Sequence, residues 1–334
     1  MKKGMECMGK AVNPFIPLYR TCDTGTNEEK YQLLKDGKLT VPRYLDVELT
    51  NLCNFQCCFC PTGTHSMKRT KGMMPESVME RLLEDVRKHQ IPGVRVIGWG
   101  EPTLHPHWME FLHDVKSGGA LVHLGTNGSR LSDEEMQQLI DMGVDSIKFS
   151  FQGADAASYG EMREGGDYHQ LVETVQTMHR LRGDKLLPFI QISTTLTVES
   201  PEQVTAFRKE IEPYCDYCNI GYTMLNHLSV DAMDVSAEKR EKIRKMQEQE
   251  AVHHVYRTVC SDAFDKLDIH WNGDAVLCCS DYDNFMVVGN ILDQDVTDIF
   301  QSRIAGLYRD MIVKGEYGRI QCCSTCWETV PLTK

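Results

Sequence analysis

Residues 44–60 read YLDVELTNLCNFQCCFC. Tyr44–Thr50 alternates apolar and polar side chains, the two-residue period of a strand with one buried face. Directly after it, Cys53, Cys57 and Cys60 make a CxxxCxxC run on one loop. Three thiolates so spaced can hold three corners of a [4Fe–4S] cube and leave the fourth iron open to a small molecule. Zinc is the alternative, because His65 could offer a fourth ligand.

Downstream of this loop, helix-like and strand-like patterns alternate. Pro75–His89 is amphipathic, with Val78, Leu82, Leu83 and Val86 on one face. Gly93–Gly98 is the next strand, followed by a helix over His107–Lys116 and a strand over Ala120–Gly125. Ser132–Met142 opens on a capping box and is closed by Gly143. A strand over Asp145–Phe151, a helix over Tyr168–Arg182, a strand over Pro188–Leu196, a helix over Pro201–Ile211 and a strand over Asp216–Thr223 complete the series. Six strands alternating with five helices predict an α/β fold of parallel strands and right-handed crossovers. A partial (β/α)6 barrel and an open doubly wound sheet both fit this pattern. Either one puts chemistry at the C-terminal ends of the strands.

The chain has 334 residues, 41% hydrophobic and 25% charged, which excludes a wholly disordered protein. No apolar run reaches the roughly 18 residues of a membrane helix. Met1–Pro14 lacks the apolar core of a secretory signal, so a cytoplasmic location is expected. A net charge of −12 disfavours a nucleic-acid surface, which needs a basic stripe. Of 14 cysteines, four fall within Cys53–Cys60 and six after residue 259. Such clustering in a chain that is neither small nor visibly secreted points to metal rather than disulfides.

Ser236–Val255 reads as a charged helical connector. Leu267–Trp271 and Ala275–Cys278, joined at Asn272-Gly273, read as a hairpin. Val296–Ile312 reads as a helix. The expected organisation is an N-terminal extension (1–43), the strand–helix region (44–223), a helical connector (224–259) and a small α+β domain (260–334).

The cysteine run, its place after the first strand and Phe59 before the last cysteine resemble the radical S-adenosylmethionine (radical SAM) family. The resemblance covers Tyr44–Thr223 and implies the partial barrel. It also implies a [4Fe–4S] cluster on Cys53, Cys57 and Cys60, with S-adenosylmethionine (SAM) on the open iron. One electron then cleaves SAM to methionine and a 5′-deoxyadenosyl radical, which abstracts a substrate hydrogen. Cys58 falls outside the ligand pattern. Gly98-Trp99-Gly100-Glu101-Pro102 resembles the family's GGEP motif, which meets the SAM amino group, although Trp99 replaces its second position. Thr126-Asn127-Gly128 and Ser150 stand where the family contacts SAM. Tyr159-x-x-x-Arg163 resembles a stretch whose arginine pairs with the SAM carboxylate. Thr194 on the fifth strand is a further SAM-binding position implied by the resemblance.

The late cysteines resemble the SPASM or twitch auxiliary-cluster domains of some radical SAM enzymes. Trp271–Cys279 followed by Val288–Ile291 carries that likeness. It implies an auxiliary [4Fe–4S] cluster on Cys260, Cys278, Cys323 and Cys326, with Cys279 and Cys322 as possible substitutes. Structural zinc suits four such cysteines equally well by spacing alone. Cys215 and Cys218 lie at the start of the sixth strand and are read as packing. Cys7 and Cys22 carry no signal.

A fully ligated auxiliary cluster suits electron transfer. The resemblance to twitch-bearing dehydrogenases implies oxidation of a sugar- or cyclitol-type alcohol. Peptide or protein modification and sugar epimerisation are alternatives, the latter using Cys58, Cys279 or Cys322 as hydrogen donor. A non-catalytic zinc protein is the alternative from another class. The 43 positions before the barrel show no leader-peptide-binding domain. A flavodoxin- or ferredoxin-type donor is expected as partner. No base is assigned, although His227, Asp231 and Asp234 follow the sixth strand.

Overall fold

The structure, a computed structural model, describes residues 11–19, 25–223, 225, 227–250, 259–260, 262–324 and 326. Cys7 and Cys22 lie outside the described residues. Its strands are β1 (Tyr44–Val47), β2 (Gln56–Cys57), β3 (Gly93–Val96), β4 (Leu121–Thr126), β5 (Ser146–Ser150), β6 (Arg163–Glu164), β7 (Phe189–Leu196), β8 (Tyr217–Tyr222), β9 (Lys266–Ile269), β10 (Asp274–Val276) and β11 (Val287–Asn290). The six long expected strands are β1, β3, β4, β5, β7 and β8, each within three residues of its expected ends.

Strand order separates the two topologies that periodicity left open. The nine-stranded sheet runs β11-β10-β9-β1-β3-β4-β5-β7-β8. From β1 to β8 the long strands follow chain order, and every pair is parallel. A doubly wound sheet reverses its order at a switch point. Here the order never reverses, so all the right-handed crossovers fall on one face. The result is a partial barrel with open edges at β8 and β11.

Alternation along each strand builds the two faces. Leu45, Val47, Val94, Val96, Val122, Leu124, Ile147, Phe149, Ile190 and Ile192 are fully buried and belong to one apolar cluster. The helices complete it through residues such as Leu82, Phe111, Leu139 and Val175. Helix ends follow local chemistry. Ser132 and Glu135 form the expected capping box before Asp133–Met142, and Gly143 closes it with φ 69° in the left-handed region. Ser200 and Gln203 cap Pro201–Ile211 in the same way. The single helix expected over Val296–Ile312 is two, Val296–Phe300 and Arg303–Val313. Ser302 starts the second by accepting from the Ala305 N–H, the usual preference of a serine for a cap over a helix interior.

The C-terminal hairpin extends the barrel's own sheet. β9 pairs parallel with β1 in the register Leu45↔Leu267 and Val47↔Ile269, and β10 and β11 follow antiparallel. A buried charged seam lies along this join. The Lys266 ammonium meets Asp46 at 2.6 Å, Asp268 at 3.0 Å and Asp262 at 3.2 Å. Arg95 on β3 makes two bonds of 2.5 Å to the Asp46 carboxylate. Burial alone would raise the Asp46 carboxyl, but Arg95 and Lys266 hold it well below the usual range. The helix Asn27–Lys35 of the N-terminal extension is fastened to the same region. Lys30 pairs with Asp265 at 3.0 Å, and the Asn27 side chain accepts from the Cys260 N–H at 2.9 Å. Among the described residues no helix is long and apolar enough to cross a membrane.

Candidate active site

The first cysteine loop leaves β1 and is folded tightly on itself. The Phe55 N–H donates to Cys53 Sγ at 3.4 Å, and the Cys60 N–H to the Cys57 carbonyl at 3.2 Å. A Cβ on Gly63 would lie 2.5 Å from the Cys57 backbone, so the loop closes only around a glycine. β2 pairs antiparallel with β6, placing Cys57 opposite Arg163. Cys53, Cys57 and Cys60 all line one cavity of about 370 Å³ at the C-terminal ends of the strands. Burial pushes the Cys53 thiol up to about 11 and Cys57 to about 12, and raises Cys60. Three buried thiols become thiolates only beside a strong positive charge, which a metal centre supplies.

The donor set fits a cluster better than one ion. His65, the fourth ligand zinc would need, is exposed and does not line the cavity. Among the described residues, no three cysteine sulfurs lie within 4.8 Å of one another. A tetrahedral zinc with bonds of roughly 2.3 Å would bring its sulfurs to about 3.8 Å. Cys58 turns away into a small apolar cluster, with its sulfur 3.4 Å from Met162.

The other expected positions converge on the same cavity. Phe59, Gly98, Gly100 and Glu101 line it, as do Thr126, Asn127, Ser150 and Arg163. Arg163 stacks over Phe59 at 5.3 Å and donates to the Phe151 carbonyl at 3.3 Å. Its Nε is buried without a partner, an orphaned donor that a bound carboxylate would satisfy. The Glu101 side chain is engaged within the protein. It accepts from the Thr103 hydroxyl at 2.8 Å, the Thr126 hydroxyl at 2.7 Å and the Asn127 N–H at 2.7 Å. Burial raises its carboxyl in spite of these donors. Glu101 therefore ties the ends of β3 and β4 together, while the Trp99 carbonyl in the adjoining turn accepts from the Thr62 hydroxyl. Gly100 permits that turn, since a Cβ there would stand 2.2 Å from the Thr50 carbonyl oxygen. Gly100→Ala is expected to cost about 1–3 kcal/mol, read as a lower unfolding midpoint in denaturant. An unchanged midpoint would contradict this packing.

Thr194 is a correction. Its side chain is fully buried on the other face of β7, where the hydroxyl donates to the Gly153 carbonyl at 2.5 Å. Ser193 and Thr195 line the cavity instead, because neighbours on a strand face opposite ways. The same alternation could have found them. Trp99 of the Gly98–Pro102 stretch and Gln152 also line the cavity, as do Lys148 and Thr223, which carried no motif. Of the three residues after β8, His227 lines the cavity, while the Asp231 carboxylate pairs with Arg244 at 3.0 Å on the surface. Asp234 does not line the cavity. Burial lowers His227 to about 4, so it is neutral at ordinary pH, and its Nε2 is buried without a partner.

A second cavity of about 320 Å³ shares Ile97, Gly98 and Trp99 with the first. Asp46, Glu48, Arg95, Asp268, His270 and Cys279 complete its wall. Beyond it lie the late cysteines. The Ala263 N–H donates to Cys260 Sγ, and the Ser280 N–H to Cys278 Sγ, both at 3.4 Å. Backbone donors to sulfur favour thiolate ligands and tune iron–sulfur potentials. Cys260, Cys323 and Cys326 all bear on the Tyr317 phenol, and Cys322 bears on Cys278, so the fold gathers these segments. The Cys279 N–H donates to Asp262, and the residue lines the second cavity. Cys215 and Cys218 pack against the main core and line neither cavity.

A model of the radical SAM superfamily matches residues 47–211, and one of an iron-sulfur cluster-binding domain, SPASM, matches residues 260–327. The tungsten-containing aldehyde ferredoxin oxidoreductase cofactor-modifying protein of Pyrococcus furiosus is 28% identical over 201 residues, 58% of this chain and 51% of that protein. The AdoMet-dependent heme synthase of Methanosarcina barkeri is 26% identical over 165 residues, 49% of this chain and 45% of that protein. The chain thus spans about half the length of the curated relatives it matches. Among solved structures, Streptococcus suis SuiB bound to S-adenosylmethionine has a TM-score of 0.65 at 16% identity, covering 85% of this chain and 72% of that one. BtrN in complex with AdoMet and 2-DOIA has a TM-score of 0.55 at 16% identity, covering 86% and 93%. Both likenesses are of fold.

Proposed function

Since the chain belongs to the radical SAM superfamily and carries a C-terminal SPASM iron–sulfur domain, we propose that it oxidises an alcohol of a sugar- or cyclitol-type polyol. When bound, the cofactors supply a 5′-deoxyadenosyl radical that removes a substrate hydrogen and, at the auxiliary site, an acceptor for one electron. Cys53, Cys57 and Cys60 would hold the first cluster, and Cys260, Cys278, Cys323 and Cys326 the auxiliary one. Arg163 would take the carboxylate of SAM, while Phe59, Thr126, Asn127 and Ser150 border it. A flavodoxin- or ferredoxin-type protein would deliver the reducing electron.

One observation carries the choice of substrate: polar side chains stand among the aromatic and aliphatic ones on the inward wall of the barrel. Barrels usually fill that space with branched apolar side chains. Here Lys148, Gln152, Ser193, Thr195 and Thr223 line the first cavity, and Asp46, Glu48, Asp268 and His270 the second. A polyol can offer hydroxyls to such a wall, whereas an apolar side chain would strand its polar groups. Epimerisation is a second reading, favoured by Cys279 on the wall of the inner cavity, whose thiol would return a hydrogen to the sugar.

The test is anaerobic incubation of the reconstituted protein with SAM, reductant and panels of polyols and peptides. A polyol should multiply 5′-deoxyadenosine release and yield a product lighter by two hydrogens. An isomer of unchanged mass would select epimerisation. Stimulation by peptides alone would sink both readings.

A further inference from the structure

We propose that Lys148 recognises the substrate through an anionic group, a phosphate or a carboxylate, that the polyol carries. This rests on the polyol reading above. Lys148 lies on β5 between Gly125 of β4 and Gln191 of β7 in register. Lys148 lines the first cavity together with the cysteine loop, beside Gly125 and Ile97.

The remaining charges there are already matched within the protein. Asp46 and Asp268 are paired with Lys266, Arg95 with Asp46, and Arg69 with Glu48. Glu101 is saturated by hydroxyl and amide donors, and His227 is neutral. The Lys148 backbone pairs within the sheet, and among the described residues its ammonium has neither an ion pair nor a hydrogen bond. Burial lowers its ammonium to about 8, the penalty expected of an enclosed cation without a counter-ion. An anion arriving in the cavity would remove that penalty.

SAM does not supply that anion. It carries one carboxylate, and Arg163 already stands at the cysteine loop with an orphaned Nε. A second cation on the same wall therefore calls for a second anion, and the substrate is the ligand left to bring it. Hydroxyls would meet the neighbouring serine and threonine side chains, while one charge-assisted bond at Lys148 would fix which end of the molecule enters.

The test uses the anaerobic holoenzyme with SAM bound and three calorimetric probes: glucose, glucuronate and glucose 6-phosphate. At least one acid should bind about tenfold or more tighter than glucose, and the two acids report separately on carboxylate and phosphate. Lys148→Met should bring that preference down to about twofold or less, and Lys148→Arg should keep it. No preference in the wild type, or one that survives Lys148→Met, overturns the assignment. Loss of SAM by Lys148→Met also overturns it, since the lysine would then serve the cofactor. A preference that depends on Lys148 without ketone from any polyol would leave the lysine's role standing and defeat the oxidation reading.

Discussion

Replacing Cys53, Cys57 and Cys60 together with alanine is expected to lower 5′-deoxyadenosine release at least about a thousandfold, to the enzyme-free background. Those thiols face one end of the cavity, and the exposed His65 cannot stand in for them. Iron in the anaerobically purified protein should fall from about eight to about four atoms per chain, because a cube on the late cysteines would be built elsewhere. Elemental analysis and chromatography of the nucleoside check both numbers. Surviving cleavage would refute the assignment, and zinc in place of iron would return the chain to the scaffold reading. The triple variant should stay folded, since the apolar cluster between sheet and helices does not depend on the loop.

Lys266→Met is expected to be the most damaging single change to stability, at about 3–5 kcal/mol. The lysine side chain is fully buried, and its loss leaves Asp46, Asp268 and Asp262 facing one another with Arg95 as the remaining cation. These groups join β1 to β9, so the damage should concentrate there. Denaturant unfolding of the anaerobic protein gives the magnitude, and hydrogen exchange at β9 and β10 gives the place. A loss below about 1 kcal/mol would mean the seam is not held by charge. Its pH window follows from the two shifts. Arg95 and Lys266 overcome the burial of Asp46 and lower its carboxyl, so that contribution is present above the ordinary carboxylate value of about 4 and fades as pH falls. Against the burial that would lower it, Lys266 is raised by its three aspartates, so its contribution is present below its ordinary value of about 10.4 and is lost at higher pH. Burial raises the Asp268 carboxyl in the same seam despite Lys266, so it opposes this trend and the window describes the Asp46 and Lys266 contributions alone.

Much of the architecture was legible because it rests on local signals. Tyr168–Arg182 and Pro201–Ile211 form helices with the ends their patterns predict, and the Ser132 cap and Gly143 stop are where the residue types put them. The site was legible where its residues follow strand ends in a fixed motif, as at Cys53–Cys60 and Gly98–Glu101. It failed at Thr194, where a one-residue error crosses the sheet. Lys148 went unseen because it belongs to no spacing pattern. A lysine in a strand reads as solvent-facing until the strand is known to border a cavity.

By itself, the sequence determined the alternation of strand and helix, the two cysteine groups and the chemistry they can hold. These depend on periodicity, capping and ligand spacing, all of which act over a few residues. Tertiary structure alone decided that the strands wind one way into an open barrel and that the C-terminal hairpin joins the same sheet through Lys266 and Asp46. It also decided that Arg163 comes to rest against Cys57, and that Lys148 lines the same cavity. Those outcomes depend on contacts between residues tens to hundreds of positions apart. Their energies come from burial and charge pairing, which no local pattern records.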